Sequence, residues 1–102
     1  IVPASSFYEW DSRKTKFSFR RERGEALFLA GCCRPYRDGE HFVILTTAAN
    51  GSMQPIHDRM PLILSEEEAA SWILDESRTE ELLRKVPAPL ERGTDYEQLR
   101  FF

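Results

Sequence analysis

The sequence predicts an α+β fold in which a mixed or antiparallel β-sheet comes first and two short C-terminal helices follow. Two observations support this prediction. Strand patterns dominate residues 16–64, whereas helix-capping signals and helical periodicity occupy residues 65–85. With 102 residues, of which 41% are hydrophobic and 30% charged, the chain has the size and composition of one globular domain.

Four segments have strand patterns. Residues 16–20 alternate so that Phe17 and Phe19 face inward, and residues 25–31 form an apolar run typical of a strand covered on both faces. Residues 41–47 are rich in β-branched side chains, and residues 60–64 form a strand in which Pro61 is tolerable near the beginning or at an edge. The turn sequence at 37–40, with Asp-Gly at its centre, predicts a hairpin or meander.

Two capping boxes predict the helices. Ser65 with Glu68 opens a helix over 66–75, and Ser77 with Glu80 opens a shorter one that ends before Pro87. The first helix would bury Ala69, Trp72 and Ile73. Residues 87–102 are expected to be irregular chain that docks through its terminal Phe-Phe pair.

Charge, hydropathy and cysteine usage exclude several classes of protein. The net charge of −3 gives no overall attraction for nucleic acid, so such binding would need a local basic patch. No apolar run approaches the roughly 20 residues that span a bilayer. Adjacent Cys32 and Cys33 suit neither a disulfide nor a metal site, and free thiols fit a reducing cytoplasm. We expect no cofactor and no metal.

Polar residues within apolar sequence mark the candidate site. Glu9 lies between Tyr8 and Trp10, where desolvation favours a role in proton transfer, although a solvated strand glutamate has the same pattern. His57 lies at the entry to a strand, either as a functional imidazole or as a histidine bonded to loop backbone. Arg59 could bind a phosphate or pair with a nearby acid, and the Thr46 hydroxyl beside the same loop could donate to a phosphate.

Four strings in the same order resemble the SRAP family (SOS response-associated peptidase, abasic-site shielding proteins). They are Ile1-Val-Pro-Ala-Ser-Ser-Phe-Tyr-Glu-Trp10, Phe28-Leu-Ala-Gly31, Ile44-Leu-Thr-Thr-Ala-Ala-Asn50 and Ile56-His-Asp-Arg-Met-Pro-Leu-Ile-Leu64. The resemblance covers roughly residues 1–75 and implies the family's barrel-like fold.

The resemblance also implies a function. Family members bind abasic sites in single-stranded DNA and form a thiazolidine crosslink through an N-terminal cysteine, which self-removal of the initiator Met exposes. By resemblance, Glu9 is the catalytic glutamate and His57 the histidine that assists opening of the deoxyribose ring. Arg59 contacts DNA phosphate, and Trp10 and Thr46 line the DNA groove. Such a peptidase or lyase would work in the cytoplasm, at the nucleoid in a bacterium.

The chain departs from the family pattern at its first residue. Residue 1 is Ile, and Cys32 and Cys33 have amide nitrogens, so none of them can form a thiazolidine. Residues 1–102 are therefore expected to be an incomplete SRAP domain without the N-terminal cysteine segment, and strand packing is expected for both cysteines. One alternative is a noncatalytic single-strand-binding remnant, possibly phage-related, that uses Arg13, Lys14, Lys16, Arg20 and Arg21 with Tyr8 and Trp10. A general peptidase ranks lower, because no serine elbow or His-Glu-x-x-His motif is present.

Overall fold

Short antiparallel strands are the main regular elements of the molecule. The computed structural model describes residues 1–94. The strands are β1 (Val2–Ala4), β2 (Phe7–Trp10), β3 (Lys16–Arg20), β4 (Leu27–Leu29), β5 (Gly31–Tyr36), β6 (Gly39–Ile44), β7 (Thr46–Ala48), β8 (Arg59–Pro61), β9 (Ile63–Leu64) and β10 (Glu91–Thr94). The helices are α1 (Glu66–Leu74) and α2 (Thr79–Leu83), with 3-10 turns at Glu22–Gly24 and Glu76–Arg78.

The strands form four small sheets within residues 1–94. Two have three strands, in the orders β1-β4-β9 and β10-β3-β2, and two are the pairs β5-β6 and β7-β8. All of these pairings are antiparallel. The α+β class is therefore confirmed, whereas no sheet in this part of the chain closes into a barrel.

Strand β4 separates two hydrophobic clusters. Leu27 and Leu29 face a cluster around Phe19 and Met60, whereas Ala30 packs in a second cluster with Leu62. Side chains of a strand alternate between its faces, so one short strand contributes to both clusters. The predicted covering of this strand on both faces is confirmed.

The sheet of β10, β3 and β2 closes the first cluster from the other side. Phe19 is fully buried and stacks on Phe7 with ring centroids 5.4 Å apart, as the alternating pattern predicted for its strand. The expectation that the chain after Pro87 is irregular was wrong for Glu91–Thr94, which pairs with residues 17–20 of β3. The terminal Phe-Phe pair lies outside the described residues.

Strands β5 and β6 form the predicted hairpin around the Arg37–Asp38 turn, paired from Gly31↔Ile44 to Tyr36↔Gly39. The packing role expected for Cys32 and Cys33 was wrong: both thiols are exposed, because this two-stranded sheet has no layer packed over these positions in residues 1–94. The strand expected over 41–47 is divided at Leu45. Its N–H donates to Ala30 O, and its carbonyl accepts from Leu62 N, at 3.0 and 2.9 Å.

The capping box that opens α1 is confirmed. Glu68 N donates to Ser65 Oγ at 3.1 Å, and Ser65 N donates to Glu68 Oε1 at 2.9 Å. The same carboxylate also accepts from Lys85 Nζ. Burial raises the pKa of Glu68, but the hydrogen bonds from Lys85 and Ser65 outweigh this effect and leave the pKa below its ordinary value.

Two details of the helical region differ from the prediction. Ser77 is not a cap for the second helix; Asp75 accepts from Ser77 N at 3.1 Å and opens the 3-10 turn before α2. Ile73 is 65% exposed, whereas Ala69 is buried and Trp72 is partly buried. The buried face of α1 is therefore narrower than its periodicity indicated.

Candidate functional site

The outward face of the β7–β8 hairpin holds two of the predicted residues together. Thr47 pairs with Met60 and both are buried, so their neighbours Thr46 and Arg59 face outward. Arg59 Nη2 donates to Thr46 O at 2.9 Å and to Thr46 Oγ1 at 3.2 Å. These contacts fix the guanidinium on the hairpin surface with other N–H donors left to bind an anion.

The backbone of Arg59 also sets the state of the His57 ring. Arg59 N–H donates to His57 Nδ1 at 3.2 Å, and His57 N–H donates to Met53 O at 3.0 Å. An amide nitrogen always carries its proton, so Nδ1 is the acceptor in this bond and the matching tautomer carries its proton at Nε2. His57 is exposed, and the ring nitrogen free of these backbone contacts is a donor.

Two oxygen atoms also lie near the same ring nitrogen. Nδ1 is 3.3 Å from Arg59 O and 3.4 Å from the carboxylate of Asp58. The imidazole is therefore held among backbone and carboxylate groups of its own loop. Thr46, His57 and Arg59 are hereafter the His57 cluster.

Asn50 anchors the loop that presents His57, and its structural role was not foreseen. Its Nδ2 donates to Pro87 O at 2.9 Å and to Ala88 O at 3.0 Å. Its Oδ1 accepts from Ser52 N and Ser52 Oγ at 3.0 and 2.6 Å and from Met53 N at 3.1 Å. The signal available in the sequence was an amide directly after a strand and before Gly51, a position typical of an Asx turn.

Glu9 and Trp10 lie in β2, at one edge of its sheet. Glu9 is partly buried opposite Phe17, and its Oε1 accepts from Trp10 N at 3.2 Å. Trp10 points to the other face and is 47% exposed. Because the two side chains are on opposite faces, a ligand that touches both must pass around the edge of β2.

The segments that carry Glu9 and His57 contact the same hydrophobic cluster. Phe7, two residues before Glu9, and Ile56, directly before His57, both pack against the cluster that contains Met53 and Phe19. Within residues 1–94, no hydrogen bond or ion pair links the Glu9 carboxylate to the imidazole. Their convergence on one ligand stays a prediction.

A cleft of about 560 Å³ lies elsewhere, between the Glu22–Gly24 turn and the segment 85–90. Its walls carry both charges, Arg21, Arg23 and Lys85 against Glu22 and Glu25, and include none of the predicted site residues. Among residues 1–94, no group of His, Cys, Asp and Glu side chains is arranged to hold a metal ion. None of the helices in that range is long and apolar enough to cross a bilayer.

The model of the SOS response associated peptidase (SRAP) family matches residues 1–100. The chain belongs to this family. It is similar to the abasic site processing protein YoaM of Bacillus subtilis, with 33% identity over 100 residues that cover 89% of this chain and 44% of that protein. It is also similar to the abasic site processing protein YedK of Escherichia coli, with 36% identity over 83 residues that cover 74% and 37% of the two chains.

A solved structure has the same fold. A crystal structure of a protein from Bacteroides thetaiotaomicron superposes with a TM-score of 0.75 at 24% identity, covering 92% of this chain and 47% of that one. The chain thus spans less than half the length of each of these SRAP relatives and of this structure. The matched segment therefore corresponds to less than half of each of those proteins.

Proposed function

We propose that this chain is the part of an abasic-site processing protein that holds single-stranded DNA and supplies the groups for proton transfer. Support comes from family membership and from relatives named for abasic site processing. The observation that carries the proposal is the His57 cluster, where Thr46 holds the exposed Arg59 guanidinium and the Arg59 backbone N–H donates to the exposed His57 ring.

Each residue of the site has a proposed role. Arg59, held by Thr46, binds a backbone phosphate next to the damaged nucleotide, where its fixed orientation reduces the entropy lost on binding. The Nε2–H of His57 faces the sugar and assists opening of the deoxyribose ring. Glu9 accepts and returns protons from the opposite side, and Trp10 offers a ring for an unstacked base at the edge of β2.

Covalent capture requires a residue outside these 102. An aldehyde forms a thiazolidine, with loss of water, only with the amine and thiol of one residue. Ile1 has no thiol, and the nitrogens of Cys32 and Cys33 are amides. In the proposed full protein an N-terminal cysteine supplies both groups, after the initiator Met has been removed by the protein's own peptidase activity. This chain incubated with abasic single-stranded DNA should therefore give no adduct on a denaturing gel.

Noncovalent binding tests the His57 cluster directly. Fluorescence anisotropy should detect binding of a single-stranded oligonucleotide that contains one abasic site. Because one phosphate contact contributes about 0.7 to the slope of log K against log salt concentration for a single strand, Arg59→Ala should reduce that slope by about 0.7. Arg84→Ala is the matched control, since the Arg84 side chain, directly after α2, is 80% exposed and its ion pair among residues 1–94 is with Glu80. Equal slopes for the two variants would refute the phosphate contact.

A noncatalytic single-strand-binding module is the second candidate, and the outer face of β2–β3 favours it. Lys16 Nζ lies 4.1 Å above the centroid of the Tyr8 ring, and both Tyr8 and Trp10 are about half exposed. Cations beside exposed aromatic rings are typical of sequence-independent binding to single strands. Binding of undamaged DNA that is insensitive to Glu9→Gln and His57→Ala but lost with Trp10→Ala would establish this second function instead.

A further inference from the structure

The β5–β6 hairpin extends from the rest of the molecule with one backbone edge open. Five of the six residues in each strand are exposed, among them Phe42 and Val43. An isolated two-stranded hairpin is at best marginally stable in water, and an open edge is a template for another strand. The direction of the backbone groups shows which edge is open.

Backbone groups of a strand alternate between its two edges. Ala30 lies between β4 and β5. Its N–H donates to Leu62 O at 2.9 Å, and its carbonyl accepts from Leu45 N at 3.0 Å. The backbone groups of even-numbered residues in β4 and β5 therefore point to β9 and β6. Gly31 and Cys33 therefore face the opposite edge. There Gly31 O accepts from Trp72 Nε1 at 3.3 Å, while within residues 1–94 the N–H of Gly31 and both backbone groups of Cys33 have no partner.

This open edge continues the edge that β1 already occupies. Strand β1 pairs antiparallel with β4 in the register Val2↔Leu29, which places Ile1 opposite Ala30. The same register, continued upstream, sets the residue before Ile1 opposite Gly31 and the third residue before it opposite Cys33. A chain that enters along the line of β1 thus runs directly onto β5.

We propose that the Gly31–Cys33 edge of β5 takes up a strand formed by polypeptide joined ahead of Ile1, which makes the hairpin three-stranded. The relatives are more than twice as long as the part that this chain matches, so their fold has residues available for such a strand. The strand stops before Pro35, because proline presents no N–H to this edge. This inference concerns assembly of the fold and does not depend on the proposed function.

The two cysteines report the register. Two proteins are made in which a short polar extension precedes the intact 102 residues. One has a cysteine two positions before Ile1, and the other has it three positions before Ile1. Both proteins are then oxidised with oxidised glutathione. A cysteine two positions ahead lies opposite Cys32, and one three positions ahead lies opposite Cys33, on the other face. Mass spectrometry should find each added cysteine bonded to its own partner, and Cys32→Ser or Cys33→Ser should abolish only the matching bond.

Amide hydrogen exchange gives an independent readout that needs no added cysteine. An extension of alternating Thr and Val should slow exchange of the Cys33 amide by at least about tenfold, whereas a Thr-Pro extension of equal length should not. The Cys32 amide, already directed at β6, should be unaffected by either extension. The proposal is overturned if the added cysteines form disulfides without selectivity, or if the Cys33 amide exchanges equally with both extensions. Disulfide-linked dimers would also overturn it, because they would show that a second copy occupies the edge.

Discussion

The Asn50 amide offers the most specific test of how the His57 loop is held. It is 7% exposed and makes five hydrogen bonds, two to the segment at 87–88 and three within its own loop. Asn50→Ala removes all five and leaves the carbonyls of Pro87 and Ala88 without their donor. Asn50→Asp keeps the acceptor oxygen but loses the donor and places a carboxylate against those carbonyls.

The expected cost follows from these bonds. Each contributes about 1 kcal/mol net, so five give an upper bound of about 5 kcal/mol for Asn50→Ala. Water can reach part of the exposed loop after truncation, which lowers the expectation to about 3 kcal/mol. Asn50→Asp should be at least as costly as Asn50→Ala, because a buried carboxylate facing two carbonyls is strongly unfavourable.

Urea denaturation followed by tryptophan fluorescence measures these free energies of unfolding, with Gln54→Ala as the control. Gln54 is an exposed residue of the same loop, and its replacement should change the free energy by less than about 0.5 kcal/mol. The reasoning fails if Asn50→Ala costs less than about 1 kcal/mol, or if Asn50→Asp is as stable as the unchanged protein.

Two further substitutions test the packing of the sheet and the charge at α1. Gly31→Ala would place a Cβ against the ring of Phe42 and 2.6 Å from the carbonyl oxygen of Val43, so we expect a loss of about 2 kcal/mol in thermal unfolding, whereas Gly51→Ala, with no atom within 4 Å of the new Cβ, should be nearly neutral. The pKa of Glu68 is lowered by folding, so the stability that it contributes is present above its unfolded value of about 4.5 and is lost as the pH falls through the folded value. Glu68→Gln should therefore cost about 2 kcal/mol at pH 7 and less at acidic pH, and a cost independent of pH would contradict the carboxylate's bond to Lys85.

Features set by neighbouring residues could be predicted from the sequence. The Ser65 capping box needs only two residues three positions apart, and the turn before Gly39 depends on its own two residues. The alternation of Phe17 and Phe19 likewise determined which face of β3 is buried. The proximity of Arg59 to Thr46 could also be predicted, because both border the same loop.

Features that depend on distant segments could not be predicted. Strand β10 has no distinctive pattern of its own and forms because β3, about 70 residues earlier, offers it an edge. Cys32 and Cys33 lie in a segment with the residue types of a packed strand, yet both are exposed, because exposure depends on which other strands pack nearby. The hydrogen bond from Asn50 to Pro87 likewise cannot be predicted from the sequence around either residue.

Chemical-shift mapping by NMR tests whether Glu9 and the His57 cluster border one DNA-binding site. Titration of the labelled chain with single-stranded DNA containing one abasic site should perturb the amides of Thr46, His57 and Arg59 together with Glu9, and leave those of α2 unchanged. This result would show that the acid and the imidazole border one DNA site. Perturbations confined to the cleft at Arg23, or to Tyr8 and Lys16 with none at His57, would contradict it.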